Sequence, residues 1–287
     1  MRVNVTEVRS ILTRTTGYLK TVTSHSLQPY RGCSYGNALC GIGCYVRHNR
    51  WITRGQPWGS FLEVRSNAAA VYREQYERES GWARRQDRSR GRFSVFLASS
   101  TDPFVPQERQ HGISRRVLET MVELPPDELV VQTHSPRVID YLELYEALRK
   151  RCALRVHLSI ESDRDGLPGL PPPAASVAHR FEAAAELKRA GVRVVITVSP
   201  LLPIERPEDF FRRVARAADA VVIDHFIEGD GSQDGARTRA TVLPTVMESV
   251  LPGCTALDYR DRMVAVARRI LPGKVGVSVS GFGGTFC

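Results

Sequence analysis

The chain has 287 residues, 42% of them hydrophobic and 25% charged, a balance that suits a globular protein. It excludes a disordered chain, a collagen-like repeat and a disulfide-dense miniprotein. Forty Lys and Arg against 31 Asp and Glu give a net charge of +9. That charge permits an acidic partner without establishing one, because the basic residues are dispersed and almost all are arginine.

No apolar run approaches the ~20 residues needed to cross a bilayer, and the first residues lack the apolar core of a secretion signal. A cytoplasmic protein without membrane contact is therefore expected, and a monomer. In a reducing compartment the six cysteines are free, metal-bound or catalytic rather than paired.

Taken in chain order, a strand is expected at residues 24–30, followed by a cysteine-rich loop and a helix at 66–79, capped by Ser66 or Asn67. Short, almost continuously apolar runs at 93–98, 129–133, 154–160, 192–199 and 220–226 read as parallel strands covered on both faces. Amphipathic stretches at 114–124, 137–151, 177–190 and 207–218 alternate with them. The third of these begins after the breaker run Leu170-Pro171-Pro172-Pro173 and ends at Gly191, a residue suited to the position after a helix. Six β units with crossovers imply a parallel α/β sheet, and six fall short of a closed eight-fold barrel. The expected fold is a partial (β/α)6 TIM-like barrel. It spans one domain, with a core at about 24–230 and a C-terminal helical extension at about 238–287. The basic run at 84–92 reads equally as a solvated loop or a phosphate-binding arm.

Chemistry belongs at the carboxyl ends of such strands. Every unusual polar cluster follows a strand: 33–44, 99–102, 133–135, 159–163, 199–203 and 224–228. The first is PYRGCSYGNALCGIGCYVRHN, with Cys33, Cys40 and Cys44 in a C-x6-C-x3-C pattern. Thiolates select zinc or iron–sulfur over magnesium or calcium, and the interleaved glycines allow the wrap that convergence demands. Three readings stay open: a 4Fe–4S cluster with one open iron, a closed zinc site with His48 as fourth ligand, and unrelated free thiols. Of the other cysteines, Cys152 reads as a buried filler before a strand, Cys254 as a loop residue and Cys287 as part of a glycine-rich tail.

With these motifs on the page, a resemblance emerges. The three-cysteine loop closed by Cys44-Tyr45, together with PYRGC, CYVRHN, STDPFVPQE, ISRRVLETM and QTHSPRV, resembles radical S-adenosylmethionine (SAM) enzymes. More narrowly it resembles their spore photoproduct lyase-like branch, from about residue 29 to 203. That branch usually spaces its cysteines C-x3-C-x2-C, and here Asn37 stands where the second would fall.

The resemblance implies a 4Fe–4S cluster on Cys33, Cys40 and Cys44. It also implies SAM on the open iron, and a 5′-deoxyadenosyl radical that abstracts hydrogen from substrate. It places Tyr45 beside the cluster and Ser99, Ser100, Thr101 and Asp102 near the SAM amino group. Thr133 and His134 would sit near the SAM carboxylate, with His134 where relatives often carry lysine. Ser159 and Glu161 fall near the methionyl or ribose hydroxyls, and Cys287 is a candidate hydrogen donor. The implied partners are a DNA or nucleotide substrate, with DNA lesion repair as the branch's namesake activity, and an electron donor such as ferredoxin or flavodoxin. Two alternatives accompany this reading. One is radical chemistry on a peptide or small metabolite, and the other is a non-catalytic, zinc-stabilised nucleic-acid-binding protein.

Overall fold

A computed structural model describes residues 1–87 and 91–287. Part of the basic run at 84–92, namely Arg88, Ser89 and Arg90, lies outside the described residues. Within that run Arg84 pairs with Asp127 at 3.0 Å.

Eleven strands form two sheets among the described residues: β1 (Arg2–Thr6), β2 (Leu12–Arg14), β3 (His25–Leu27), β4 (Tyr30–Gly32), β5 (Phe61–Arg65), β6 (Ser94–Leu97), β7 (Glu128–Thr133), β8 (Ala153–Ser159), β9 (Val194–Val198), β10 (Ala220–Ile223) and β11 (Val275–Val277). The large sheet runs β11-β10-β9-β8-β7-β6-β3-β2. It is parallel from β3 to β11, and β2 closes one edge antiparallel to β3. The six expected units are β3 and β6 to β10, an α/β partial barrel. Their strands carry Val, Ile and Leu on both sides because both faces are covered.

Alternate residues feed separate cores. Val95, Leu129, Val131, Leu154, Val156, Leu158, Val194, Ile196, Val221 and Ile223 pack outward in the main core with the helices. Phe96, Val130, Val195, Ala220 and Val222 turn inward with Val22 and Phe282. Two residues farther along the strands the interior becomes polar: Gln132 donates to Ser159 Oγ at 2.7 Å and to Thr197 Oγ1 at 3.1 Å. An apolar floor thus lies under a polar tier that faces the carboxyl ends.

The helices follow the expected pattern with shifted ends. Residues 66–79 extend into Ala68–Arg84, and 114–124, 177–190 and 207–218 become Ile113–Glu123, Val177–Arg189 and Pro207–Ala217. The stretch at 137–151 divides into a 3-10 turn, Pro136–Tyr141, and a helix, Leu142–Leu148. Asn67 makes no side-chain cap. Its amide instead holds both backbone groups of Val8, each at 2.9 Å.

Two regions differ from the sequence expectation. Residues 24–30 break into β3 and β4, and β4 leaves the barrel for a small sheet ordered β1-β5-β4. The C-terminal extension is not purely helical. After the helix Leu257–Ile270 the chain returns as β11 beside β10, and the short helix Ser278–Phe282 enters the barrel with Phe282 on the floor.

Candidate active site

Cys33 directly follows β4, Cys40 lies in the short helix Leu39–Ile42, and Cys44 follows that helix. The loop folds tightly on itself. A Cβ on Gly41 would sit 2.1 Å from the Gly36 carbonyl oxygen, and one on Gly36 would sit 2.5 Å from the Gly59 Cα. No larger residue fits at those two crossings, so the glycines set the loop's path.

All the cysteines are free. Burial pushes Cys33 up to about 12, Cys44 up to about 11 and Cys40 well above the usual thiol value. The neighbouring thiols act in the same direction on Cys40, through Cys33 and Cys44, and on Cys33, through Cys44. Arg47 opposes burial at Cys44 without overcoming it. The three thiols share one loop, Cys33 buried and Cys40 and Cys44 partly so, and thiolates are ligands that suit soft metals.

Among the described residues no group of three or more His, Cys, Asp and Glu side chains is arranged to hold a metal ion. His48, the candidate fourth zinc ligand, lies among Arg47, Arg237 and Asp230. Three thiols within one loop are donors whose chemistry fits an iron–sulfur cluster with one iron left open.

Tyr45 reaches from the cysteine loop to the loop after β6, where its hydroxyl donates to the Ser99 carbonyl. Ala98, with φ of +72°, turns the chain sharply at the end of β6, a left-handed conformation that L-residues adopt at a cost. Gln28 holds the loop from the other side, donating to Ser99 Oγ at 2.7 Å and accepting from the Ser100 amide at 3.2 Å.

Asp102 is fully engaged by the protein. Its carboxylate accepts from the Phe104 amide at 2.9 Å, from Thr133 Oγ1 at 2.9 and 3.0 Å, and from the His134 amide at 2.7 Å. It therefore joins the loop after β6 to the end of β7, and Thr133 serves the same joint. The Thr101 hydroxyl, by contrast, is buried without a partner.

Beyond β7 and β8, His134 Nε2 lies 2.8 Å from Glu161 Oε1, and Arg180 Nη1 donates to Glu161 Oε2 at 2.7 Å. Arg180 also donates to the Ser159 carbonyl at 2.7 Å. Burial alone would raise the Glu161 pKa, but Arg180 and then His134 outweigh it and hold the carboxyl far below its ordinary value. Glu161 is thus an anion between two donors. Ser159 belongs to the interior tier with Gln132 and Thr197.

These groups line one pocket that is partly open to solvent. Leu39, Cys40 and Gly43 form one wall, His134, Glu161 and Arg180 another, and residues 173–175 with Pro200, Leu202 and Leu243 the remainder. The sequence-predicted residues Cys40, His134 and Glu161 thus share one chamber. Asp102 and Thr133 brace it, and Tyr45 and Ser99 tie the two loops beside it.

Cys287 is not brought to the chamber. Its backbone pairs with Val275 at 3.0 and 3.3 Å, at the start of β11 and the opposite end of the sheet. Its tail follows β11 rather than swinging inward. Cys254 is fully buried rather than an open loop residue, and Cys152 is only partly covered.

Sequence reasoning missed Arg180 and Gln28. Arg180 interrupts the apolar stripe of its helix, with Val177, Phe181, Ala184 and Leu187 as buried companions. A lone arginine at a stripe position, needing a buried anion opposite, was the available signal.

No protein-family model matches the chain, and no curated protein matches it in sequence. Solved structures do match. A double mutant of spore photoproduct lyase with bound AdoMet and dinucleoside spore photoproduct superposes with a TM-score of 0.64 at 15% identity, covering 96% of this chain and 81% of that one. A single mutant of the same enzyme gives 0.63 at 16% identity, with coverage of 96% and 81%. The lyase complexed with dinucleoside spore photoproduct gives 0.61 at 15% identity, again covering 96% and 81%.

The chain has the spore photoproduct lyase fold. That likeness extends over 96% of the chain. Among the described residues no helix is long and apolar enough to cross a membrane.

Proposed function

We propose that this protein is a radical SAM enzyme acting on a nucleotide or nucleic-acid substrate. One observation carries the reading. Three free thiols, one buried and two partly buried, sit in one glycine-wrapped loop that opens, through Cys40, onto a chamber whose far wall is His134, Glu161 and Arg180.

Cys33, Cys40 and Cys44 would hold a 4Fe–4S cluster, and the chamber beside Cys40 would take SAM. When bound, these groups supply one-electron cleavage of the sulfonium and a 5′-deoxyadenosyl radical able to abstract hydrogen. The protein's own part is orientation and exclusion of water. His134, whose Nε2 lies 2.8 Å from Glu161 Oε1, would meet the SAM carboxylate. Glu161 is held anionic by Arg180 and can accept hydrogen bonds from an ammonium or a ribose hydroxyl. Ser99, Ser100 and Thr101 form the small-residue rim opposite, and Thr101 carries a hydroxyl free to bond a ligand. Asp102 and Thr133 position this rim. The polar tier of Gln132, Ser159 and Thr197 over the apolar floor leaves the barrel mouth for the substrate.

The substrate class is supported by the fold's counterparts with dinucleoside spore photoproduct and by the net charge of +9. An electron donor such as ferredoxin or flavodoxin would supply the reducing equivalent, and the protein would act in the cytoplasm. The deciding experiment is anaerobic reconstitution with iron and sulfide, followed by SAM and dithionite. Brown protein that yields 5′-deoxyadenosine supports the reading. Colourless protein with stoichiometric zinc and no 5′-deoxyadenosine overturns it.

A further inference from the structure

Beyond the chamber, the surface past the cysteine loop carries an unabsorbed feature. Trp51 is 91% exposed, the most exposed large apolar side chain among the described residues. It is not on a loose segment. Asn49 accepts from the Trp51 and Ile52 amides at 3.0 and 3.3 Å, capping the short helix Arg50–Thr53. Arg54 and Gly55, with φ of +49° and +76°, end that helix abruptly. From below, Arg31 Nη1 donates to the Ile52 carbonyl at 2.8 Å while its other nitrogens bind Glu63. The backbone that carries the indole is therefore a built turn, and the ring itself stands in solvent.

Positive charge predominates along this stretch, although Glu63 lies beneath it on Arg31. The sequence carries no Asp or Glu between Glu7 and Glu63. Arg50 and Arg54 are exposed, and Arg54 lies close enough to Arg31 and Arg65 to lower both their pKa values after burial has done so. Arg47 stands one turn earlier, bonded to the Ile42 carbonyl at 2.9 Å. An exposed indole on a fixed turn, flanked by Arg50 and Arg54, is the pattern of a stacking platform for single-stranded nucleic acid. The base lies on the ring and the phosphates meet the arginines.

We infer that Trp51, with Arg50 and Arg54, docks an unpaired strand of the nucleic-acid substrate, six residues along the chain from Tyr45. The inference rests on the nucleic-acid reading of the chamber and adds to it a place where the strand is gripped. An acidic protein partner would use the arginines but has no need of a fully exposed indole, so the nucleic acid is favoured.

The test is fluorescence anisotropy of a labelled 12-nucleotide oligothymidylate with the full-length protein across a salt series. Trp51→Ala should weaken binding roughly 5- to 150-fold, the range for removing one stacked base, and Trp51→Phe should restore most of it. Arg50→Ala with Arg54→Ala should lower the salt slope by about 0.7 for each phosphate that is no longer neutralised. Wild-type binding that Trp51→Ala leaves unchanged would overturn the platform while leaving the nucleotide reading intact. Absence of oligonucleotide binding would also overturn it, as would variants impaired only in reduction by flavodoxin. Formation of 5′-deoxyadenosine by the wild type without DNA tests the enzyme reading by itself.

Discussion

Arg180 Nη1 lies 2.7 Å from Glu161 Oε2, and neither side chain has access to solvent that could replace the other. The two come from a helix and from the end of β8, so the pair fastens a helix to the rim of the chamber. Replacing Arg180 with Met leaves a buried carboxylate facing His134 alone. We expect a loss of about 3–5 kcal/mol in urea unfolding. Adding Glu161→Gln to that variant should recover part of it, since the stranded charge is then gone. An Arg180→Met protein as stable as wild type would show that the pair holds nothing.

The cysteine loop gives a composition test. Cys33→Ser, Cys40→Ser and Cys44→Ser should each lower iron and acid-labile sulfide well below wild type after reconstitution. His48→Ala should leave both unchanged, because His48 lies among Arg47, Arg237 and Asp230. Retention of zinc that depends on His48 would reverse this expectation.

Asp224 ends β10 inside the barrel mouth, accepting from Tyr18 at 3.1 Å and Ser199 at 3.3 Å. Burial raises its pKa from 3.8 to about 6, and the hydrogen bonds only partly oppose this. Because the folded value lies above the unfolded one, the group's stabilising contribution is full below pH 3.8 and is lost as pH rises through about 6. The difference corresponds to about 3 kcal/mol. Asp224→Asn should therefore unfold at higher urea than wild type at about pH 8, and the two curves should converge near about pH 4. Parallel pH profiles would contradict this.

His157 is buried in the barrel between Phe96 and Phe282, with neither ring nitrogen hydrogen-bonded. Burial drives its pKa well down, so it is neutral. An unsatisfied buried polar group costs about 1–3 kcal/mol. His157→Leu should raise the melting temperature by about 2–4 °C for each kcal/mol regained. A lower value would show that the ring has a bound partner.

Cys287 supplies a negative control for the radical chemistry. Held at the start of β11 by Val275, it should be replaceable by Ser with no change in the yield of 5′-deoxyadenosine or of product, measured by chromatography.

Much of this architecture was legible in the sequence. The inward and outward residues of β6 to β10 are nearly all apolar, so the strands stood out as short runs without needing alternation. The carboxyl-end rule pointed to Cys40, His134 and Glu161, which line one pocket. What escaped depends on distant partners. β11 has only three residues, Val275–Val277, too few to register as a strand before β10 provides its mate. Asp102 and Asn67 both carried cap signals, yet each serves a segment far away in sequence, β7 for one and Val8 for the other. Local propensity cannot see such tertiary demands.

The rings of Tyr18 and Phe282 meet edge to face at 5.9 Å, so two segments remote in sequence together plug the barrel interior, with Tyr18 also reaching Asp224 at 3.1 Å. Proteolytic nicking of either one would open that interior to bulk solvent. The proposed radical would be quenched there while the helices and strands still gave a native-looking spectrum, making inactivation a leak rather than a collapse.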